Sequence, residues 1–205
     1  IWRYDIYGEV ERCERDLMDS AKDDVETTAA GVFNNGFTTT NTGFDGLALF
    51  STAHTRLDGG TTQANRSSTE GALSLSGLQS ALITIDKWKN ENGRPRTWKP
   101  ERLVIPSDLI HVAAELLESQ LKPGTANNDK NVITRFDLAP VRWKYITSTT
   151  AWFVQCSKHD LNFFWSFRPE TGMEVEFDTD TIKRKVRQGR GVGFGKWNGN
   201  FGDDG

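Results

Sequence analysis

Between Glu9 and Phe33 the apolar residues Val10, Cys13, Leu17, Ala21, Val25, Ala29 and Val32 recur at steps of three and four. Glu11, Glu14, Asp16, Asp19, Asp23 and Asp24 take the remaining faces. This spacing predicts one long amphipathic helix with a single narrow apolar stripe. Asn34-Asn35-Gly36 ends it, because Asn and Gly tolerate the left-handed backbone of a helix terminus. Such a helix has one narrow face to bury and a charged remainder, so it either lies across a sheet or packs against a neighbour.

The stretch Leu103–Asn131 carries the next strongest signal. Leu103-Val104-Ile105 reads as a short strand stopped by Pro106. Ser107 or Asp108 is then placed to cap a helix striped by Leu109, Val112, Ala113, Leu116, Leu117 and Leu121. Pro123-Gly124 closes that helix, and a polar loop runs to Asn131. A further helix is expected from Ser76 to Asn90, with Ser76 and Gln79 in capping-box spacing and Leu78, Ala81, Leu82, Ile85 and Trp88 as its stripe.

Strand patterns fill much of the rest. Ile1–Tyr7 and Val141–Ile146 alternate, as do Met173–Phe177 and Thr181–Arg187. Trp152-Phe153-Val154 and Phe163-Phe164-Trp165 are apolar enough to suggest strands buried on both faces. Thr147–Thr150 and Arg168–Gly172 read as turns. Between these elements lies Phe37–Gly71, rich in Thr, Gly, Asn and Ser, with one apolar island at Leu47–Phe50. Apart from that island it is too polar to build a core, and it is too long for an idle connection, which marks it as functional or as a contact with another chain.

Chemistry is sparse. His54, His111 and His159 fall on three different elements, and none sits in a metal-ligand spacing. Cys13 and Cys156, the only two cysteines, allow no disulfide framework, and a reducing cytoplasm is the expected place of synthesis. Asp178-Thr179-Asp180 offers two carboxylates on one side of an extended segment for a divalent cation, but these residues equally suit a turn, the reading preferred here. Gly189–Gly195 lacks the helix and the Lys-Ser/Thr of a phosphate loop. Lys183, Arg184, Lys185, Arg187 and Arg190 form a basic run that either faces a polyanion or keeps an edge strand soluble. The net charge of −3 adds no global attraction to nucleic acid. Asn65-Arg66-Ser67 is a glycosylation sequon of consequence only in a secretory pathway. No apolar run is long enough to cross a bilayer as a helix.

Five segments in order, NNGF (Asn34–Phe37), DGLALFSTAH (Asp45–His54), ALITID (Ala81–Asp86), LVIPSDL (Leu103–Leu109) and KPGTANNDKN (Lys122–Asn131), resemble tailed-bacteriophage major capsid proteins, with the Mu-type major head subunits as the nearest group. DTDTIKRK (Asp178–Lys185) and the closing Gly/Trp segment fit as well. The resemblance implies an α+β capsid fold, in which a peripheral domain holds a long spine helix and long strands and an axial domain holds a sheet flanked by helices. On that pattern residues 1–75 form a first peripheral part, with the spine helix at about 9–33 and the polar loop at 37–71. Residues 76–167 form the axial domain, and residues 168–205 the second peripheral part and C-terminal segment.

The family's N-terminal arm and extended hairpin have no counterpart before Glu9. With Ile1 in place of an initiator methionine and no signal peptide, the expectation is a C-terminal portion or a trimmed product. The resemblance further implies a non-enzymatic protein without cofactor or metal, made in the bacterial host cytoplasm and resident in the virion. Its partners are expected to be itself, in hexamers and pentamers of an icosahedral shell, non-specifically held double-stranded DNA, and portal and decoration proteins, with no membrane. Pro123, Gly124, Asn127, Asn128 and Asp129 become a candidate inter-subunit loop, and Lys183, Arg184, Lys185, Arg187 and Arg190 a candidate DNA-facing strand. The competing readings are a shell of the same fold around protein cargo, and a metal-dependent hydrolase using Asp178, Asp180 and a histidine.

Overall fold

The computed structural model describes residues 8–69, 71–122, 129–179 and 181–205. The strand expected at Ile1–Tyr7 lies outside the described residues. The chain divides into two compact units, one of Ile1–Ala30 with Asn162–Gly193 and one of Gly31–Leu161 with Phe194–Gly205. Among the described residues three α-helices and two sheets form, a mixed helix-and-sheet architecture of the kind the α+β expectation requires.

In the larger unit a four-stranded sheet runs in the order β2 (Ala139–Arg142), β1 (Pro100–Ile105), β3 (Trp152–Cys156), β6 (Asn200–Asp203). β1 pairs parallel with β2 and antiparallel with β3, and β3 pairs antiparallel with β6. β3 is buried at every residue, because strands cover both of its edges and side chains cover both of its faces. On one face Trp152 meets Phe201, with ring centroids 5.9 Å apart, and lies beside Gly77 of α2 (Leu75–Asp86). On the other, Phe153 packs with Phe33, Phe37 and Phe50 at 5.0 to 5.8 Å. Gly202 lies under Phe50, where a Cβ would come within 2.8 Å of the ring, so this β6 position needs glycine.

The helix ends differ from the expected ones for identifiable reasons. α2 is capped by Ser74, whose extended backbone lets its Oγ accept from the Gly77 N–H at 3.2 Å, and Ser76 sits inside the first turn. α2 stops at Asp86, and Trp88 instead turns into the core at 2 % exposure, with Nε1 donating to the Ala64 carbonyl. Beyond β1, Ser107–Leu109 form a 3₁₀ turn, without a side-chain cap from Ser107 or Asp108, and α3 covers only Ile110–Glu118. The Asn131 amide ends α3 by donating to the Leu116 and Ser119 carbonyls at 2.7 and 3.0 Å. A residue distant in sequence thus supplies the terminus expected of Pro123-Gly124, and Leu121 is left 47 % exposed outside the stripe. β2 occupies Ala139–Arg142 rather than Val141–Ile146, since the chain turns at Lys144-Tyr145.

In the excursion 37–71 the apolar island is buried at Ala48, Leu49 and Phe50, and against expectation the polar His54 and Asn65 are buried with it. Burial of the two polar side chains is tolerable because each has hydrogen-bond partners within the protein. Asn65 also joins this segment to β6, its carbonyl accepting from the Gly202 N–H at 2.9 Å.

The smaller unit holds the first part of α1 (Glu9–Asn34) and a two-stranded ribbon of β4 (Leu161–Glu176) and β5 (Thr181–Phe194). So short a connection between paired strands requires them to run antiparallel. Two expectations fail here. Arg168–Gly172 is no turn but lies within β4, held extended by pairing with β5. Pro169 is tolerated because a two-stranded ribbon leaves each strand one open edge. Phe163-Phe164-Trp165 is likewise not buried on both faces. Phe164 is 61 % and Trp165 38 % exposed, so the faces of the ribbon are not fully covered at these residues.

Candidate inter-subunit and nucleic-acid surfaces

Of the candidate loop, Pro123, Gly124, Asn127 and Asn128 lie outside the described residues. Asp129 is exposed, and its carbonyl accepts from the Lys122 N–H at 2.7 Å. With the Leu121–Lys130 bridge, this contact ties together the two ends between which the loop runs. The Asn131 amide then fixes those ends to α3.

The basic run sits on β5, where alternation sends its cations to two sides. Arg184 pairs with Glu14 of α1. Arg190 donates to Thr28 Oγ1 at 2.7 Å and to the Asp24 carbonyl at 3.1 Å, and pairs with the Asp24 carboxylate. On the other side Lys183 pairs with Glu176 at 3.0 Å, and Arg187 donates twice to Glu170 Oε2 at 2.9 and 3.1 Å. Lys185 makes no ion pair among the described residues and lies against Gly172. Four of the five cations are therefore matched by carboxylates of their own subunit. The acidic partners were visible in the sequence, but only the strand register shows who meets whom. The hydrogen bond from Arg190 holds the Asp24 carboxyl below its usual range, with a smaller contribution from Gln188.

The alternative metal site does not assemble among the described residues. Asp178 and Thr179 belong to the ribbon's tip turn, and the Thr179 hydroxyl is engaged by Glu176 and Thr181. Asp180 lies outside the described residues. No group of three or more His, Cys, Asp or Glu side chains there is arranged to hold a metal. The histidines are engaged separately. His54 is enclosed by Asp45, Asn65 and Trp197, His111 is exposed on α3, and His159 Nδ1 accepts from the Leu161 N–H at 3.3 Å. Burial, then the nearby Arg102 charge, lowers the His159 pKa. Both cysteines are free. Cys13 is exposed, whereas burial pushes the Cys156 thiol up to about 12.

Two features escaped the reading of the sequence. One is the buried Asp45–His54–Asn65 network, whose members are nine and eleven residues apart in a polar stretch. The other is the apolar side of the ribbon, with Met173 at 61 %, Val175 at 53 % and Phe177 at 95 % exposure. The alternation of Met173, Val175 and Phe177 was legible, but its lack of cover was not. No helix among the described residues is long and apolar enough to cross a membrane.

No curated protein matches the chain. A family model described as phage capsid protein matches residues 1–200. That match spans nearly the whole chain, including both compact units, the ribbon and the Asn131-anchored loop ends. The chain therefore belongs to the phage capsid protein family, which makes it a structural protein and not an enzyme.

Proposed function

We propose that this chain is the major head protein of a tailed phage, of the Mu-type group, and that copies of it close into an icosahedral shell around double-stranded DNA. The family match over residues 1–200 carries this reading. The uncovered ribbon supports it. A two-stranded ribbon is marginal alone in water, and this one exposes Phe164, Met173, Val175 and Phe177. In a shell-forming family the cover is a second copy of the chain. Closed symmetry then lets each subunit hold several neighbours through individually modest contacts.

Within this reading α1 is the spine helix. Residues 1–75 and 168–205 supply the peripheral domain and residues 76–167 the axial domain. The loop with Pro123, Gly124, Asn127, Asn128 and Asp129 makes inter-subunit contacts in hexamers and pentamers. Portal and decoration proteins are the further partners, and the particle forms in the host cytoplasm. Of the β5 cations, Lys185 is the one left to meet a phosphate directly. The paired Lys183, Arg184, Arg187 and Arg190 release few counterions, so the ribbon's share of DNA binding depends only weakly on salt.

Negative-stain microscopy of the purified full-length subunit under assembly conditions tests the shell. Closed particles are expected, and a protein that stays monomeric throughout overturns the proposal. Nuclease-protected double-stranded DNA inside particles from infected cells distinguishes a phage head from a compartment with protein cargo.

A further inference from the structure

The strongest unassigned arrangement is the polar network at His54. The imidazole is fully buried and the Asp45 side chain is 2 % exposed. Nδ1 lies 2.6 Å from Asp45 Oδ2, and Nε2 lies 3.0 Å from Asn65 Oδ1. The second contact fixes a proton, because the Asn65 amide can be oriented in one way only. Its Nδ2 donates to the Leu49 carbonyl at 2.7 Å and to the Asn200 carbonyl at 3.0 Å, and its Oδ1 accepts from the Ser51 N–H at 2.9 Å. Reversing the amide would set an oxygen against two carbonyls and an NH₂ against an N–H. Asn65 therefore presents an acceptor to Nε2, and Nε2 must donate.

At Nδ1 the partner is a carboxylate oxygen whose twin, Oδ1, accepts from the Leu47 N–H at 3.2 Å. The ring also lies flat on the Trp197 indole, with centroids 4.5 Å apart and planes 9° apart. An aromatic face attracts a cation. We infer that His54 donates from both ring nitrogens, so that a buried imidazolium–carboxylate pair with Asp45 locks the 43–66 segment to the C-terminal segment at Trp197 and Asn200.

The lock needs both ring protons. Loss of either ring proton leaves two acceptors facing each other, at Asp45 or at Asn65, inside a site closed to solvent. Asp45 is the ionisable group in hydrogen-bond contact with the ring. Of the charges on the surrounding segments, Arg56 pairs with Asp58, Arg66 reaches Asp204 and lies over Phe37, Asp160 accepts from the Lys196 N–H, Asp203 accepts from the Gly71 and Gly205 N–H groups, and Lys87, Lys89 and Lys196 are exposed. The lock uses only contacts within one subunit and so does not depend on the capsid reading.

Side-chain ¹⁵N NMR of the histidine-labelled full chain at neutral pH tests the inference, with exposed His111 as the internal reference. Two protonated ring nitrogens are expected for His54. A single protonated nitrogen in the folded protein overturns it. Asp45→Asn provides the second arm, because an Asn amide can donate to an unprotonated Nδ1 and rebuild the network without charge. That variant should fold and show only Nε2–H, and a variant that keeps both ring protons also overturns the lock.

Discussion

β3 and β4 contain similar apolar runs, Trp152-Phe153-Val154 and Phe163-Phe164-Trp165, yet the first is wholly buried and the second largely exposed. The difference lies in their neighbours. β3 has β1 and β6 on its edges, a helix side on one face and a phenylalanine cluster on the other. β4 has only β5 beside it. A run of aromatic residues thus states a demand for cover without stating whether its own subunit meets that demand. Under the shell proposed above, the strand whose demand is unmet is the one offered to another copy.

The comparison can be broken most directly by truncating one aromatic in each strand. Phe153→Ala should destabilise the isolated subunit by about 3–5 kcal/mol, from lost burial and a cavity its packed neighbours cannot fill. Phe164→Ala should change subunit stability by no more than about 0.5 kcal/mol, as expected of an exposed site. Denaturant unfolding of the unassembled protein reads both. Equal effects would show that β4 is covered within its own subunit.

Asn131→Ala tests a smaller effect on the sheet-bearing side. It strands the Leu116 and Ser119 carbonyls and should cost about 1–3 kcal/mol, together with faster amide exchange at the end of α3. On the ribbon, Phe177→Ser should leave the unfolding midpoint of the free subunit almost unchanged while lowering the yield of assembled particles. Sedimentation separates those two readouts, and unchanged assembly would remove Phe177 from the contact.

The smallest effect concerns pH. Asp24 is ionised more readily when folded, so its tie to Arg190 contributes fully above the ordinary carboxylate range. The contribution fades as pH falls through that range and below it. Asp24→Asn should flatten this slight acid sensitivity, measured by amide exchange along α1. A thiol reagent gives a complementary check in native protein, with Cys13 expected to react readily and Cys156 only on unfolding.

Elements with local causes were legible in the sequence. The α1 helix, the α2 stripe, β1 and β3 all follow from periodicity or an uninterrupted apolar run, but Cys13 and Leu17 of the expected α1 stripe are exposed because the described residues leave that part of the helix face uncovered. The errors arose where distant residues decide. Asn131 ends α3 ahead of Pro123-Gly124, β5 holds Arg168–Gly172 extended despite its turn-like composition, and Asn65 and Trp197 draw His54 into a core where only the apolar island at Leu47–Phe50 was expected. The β5 cations stand out in the sequence as one basic run. Their pairing with Glu14, Asp24, Glu170 and Glu176 depends on register and on the course of α1, neither of which is written locally.

The anchoring of the loop ends has an engineering consequence. Lys122 and Asp129 are joined by a backbone hydrogen bond, and Asn131 fastens that junction to α3, so the sheet does not depend on the length of what lies between them. Lengthening a loop whose ends are already closed costs only about 0.6 kcal/mol per doubling. A peptide epitope grafted between these two residues should therefore leave the subunit's melting temperature nearly intact. Whether grafted subunits still build particles would make the site a display platform or identify it as a joint.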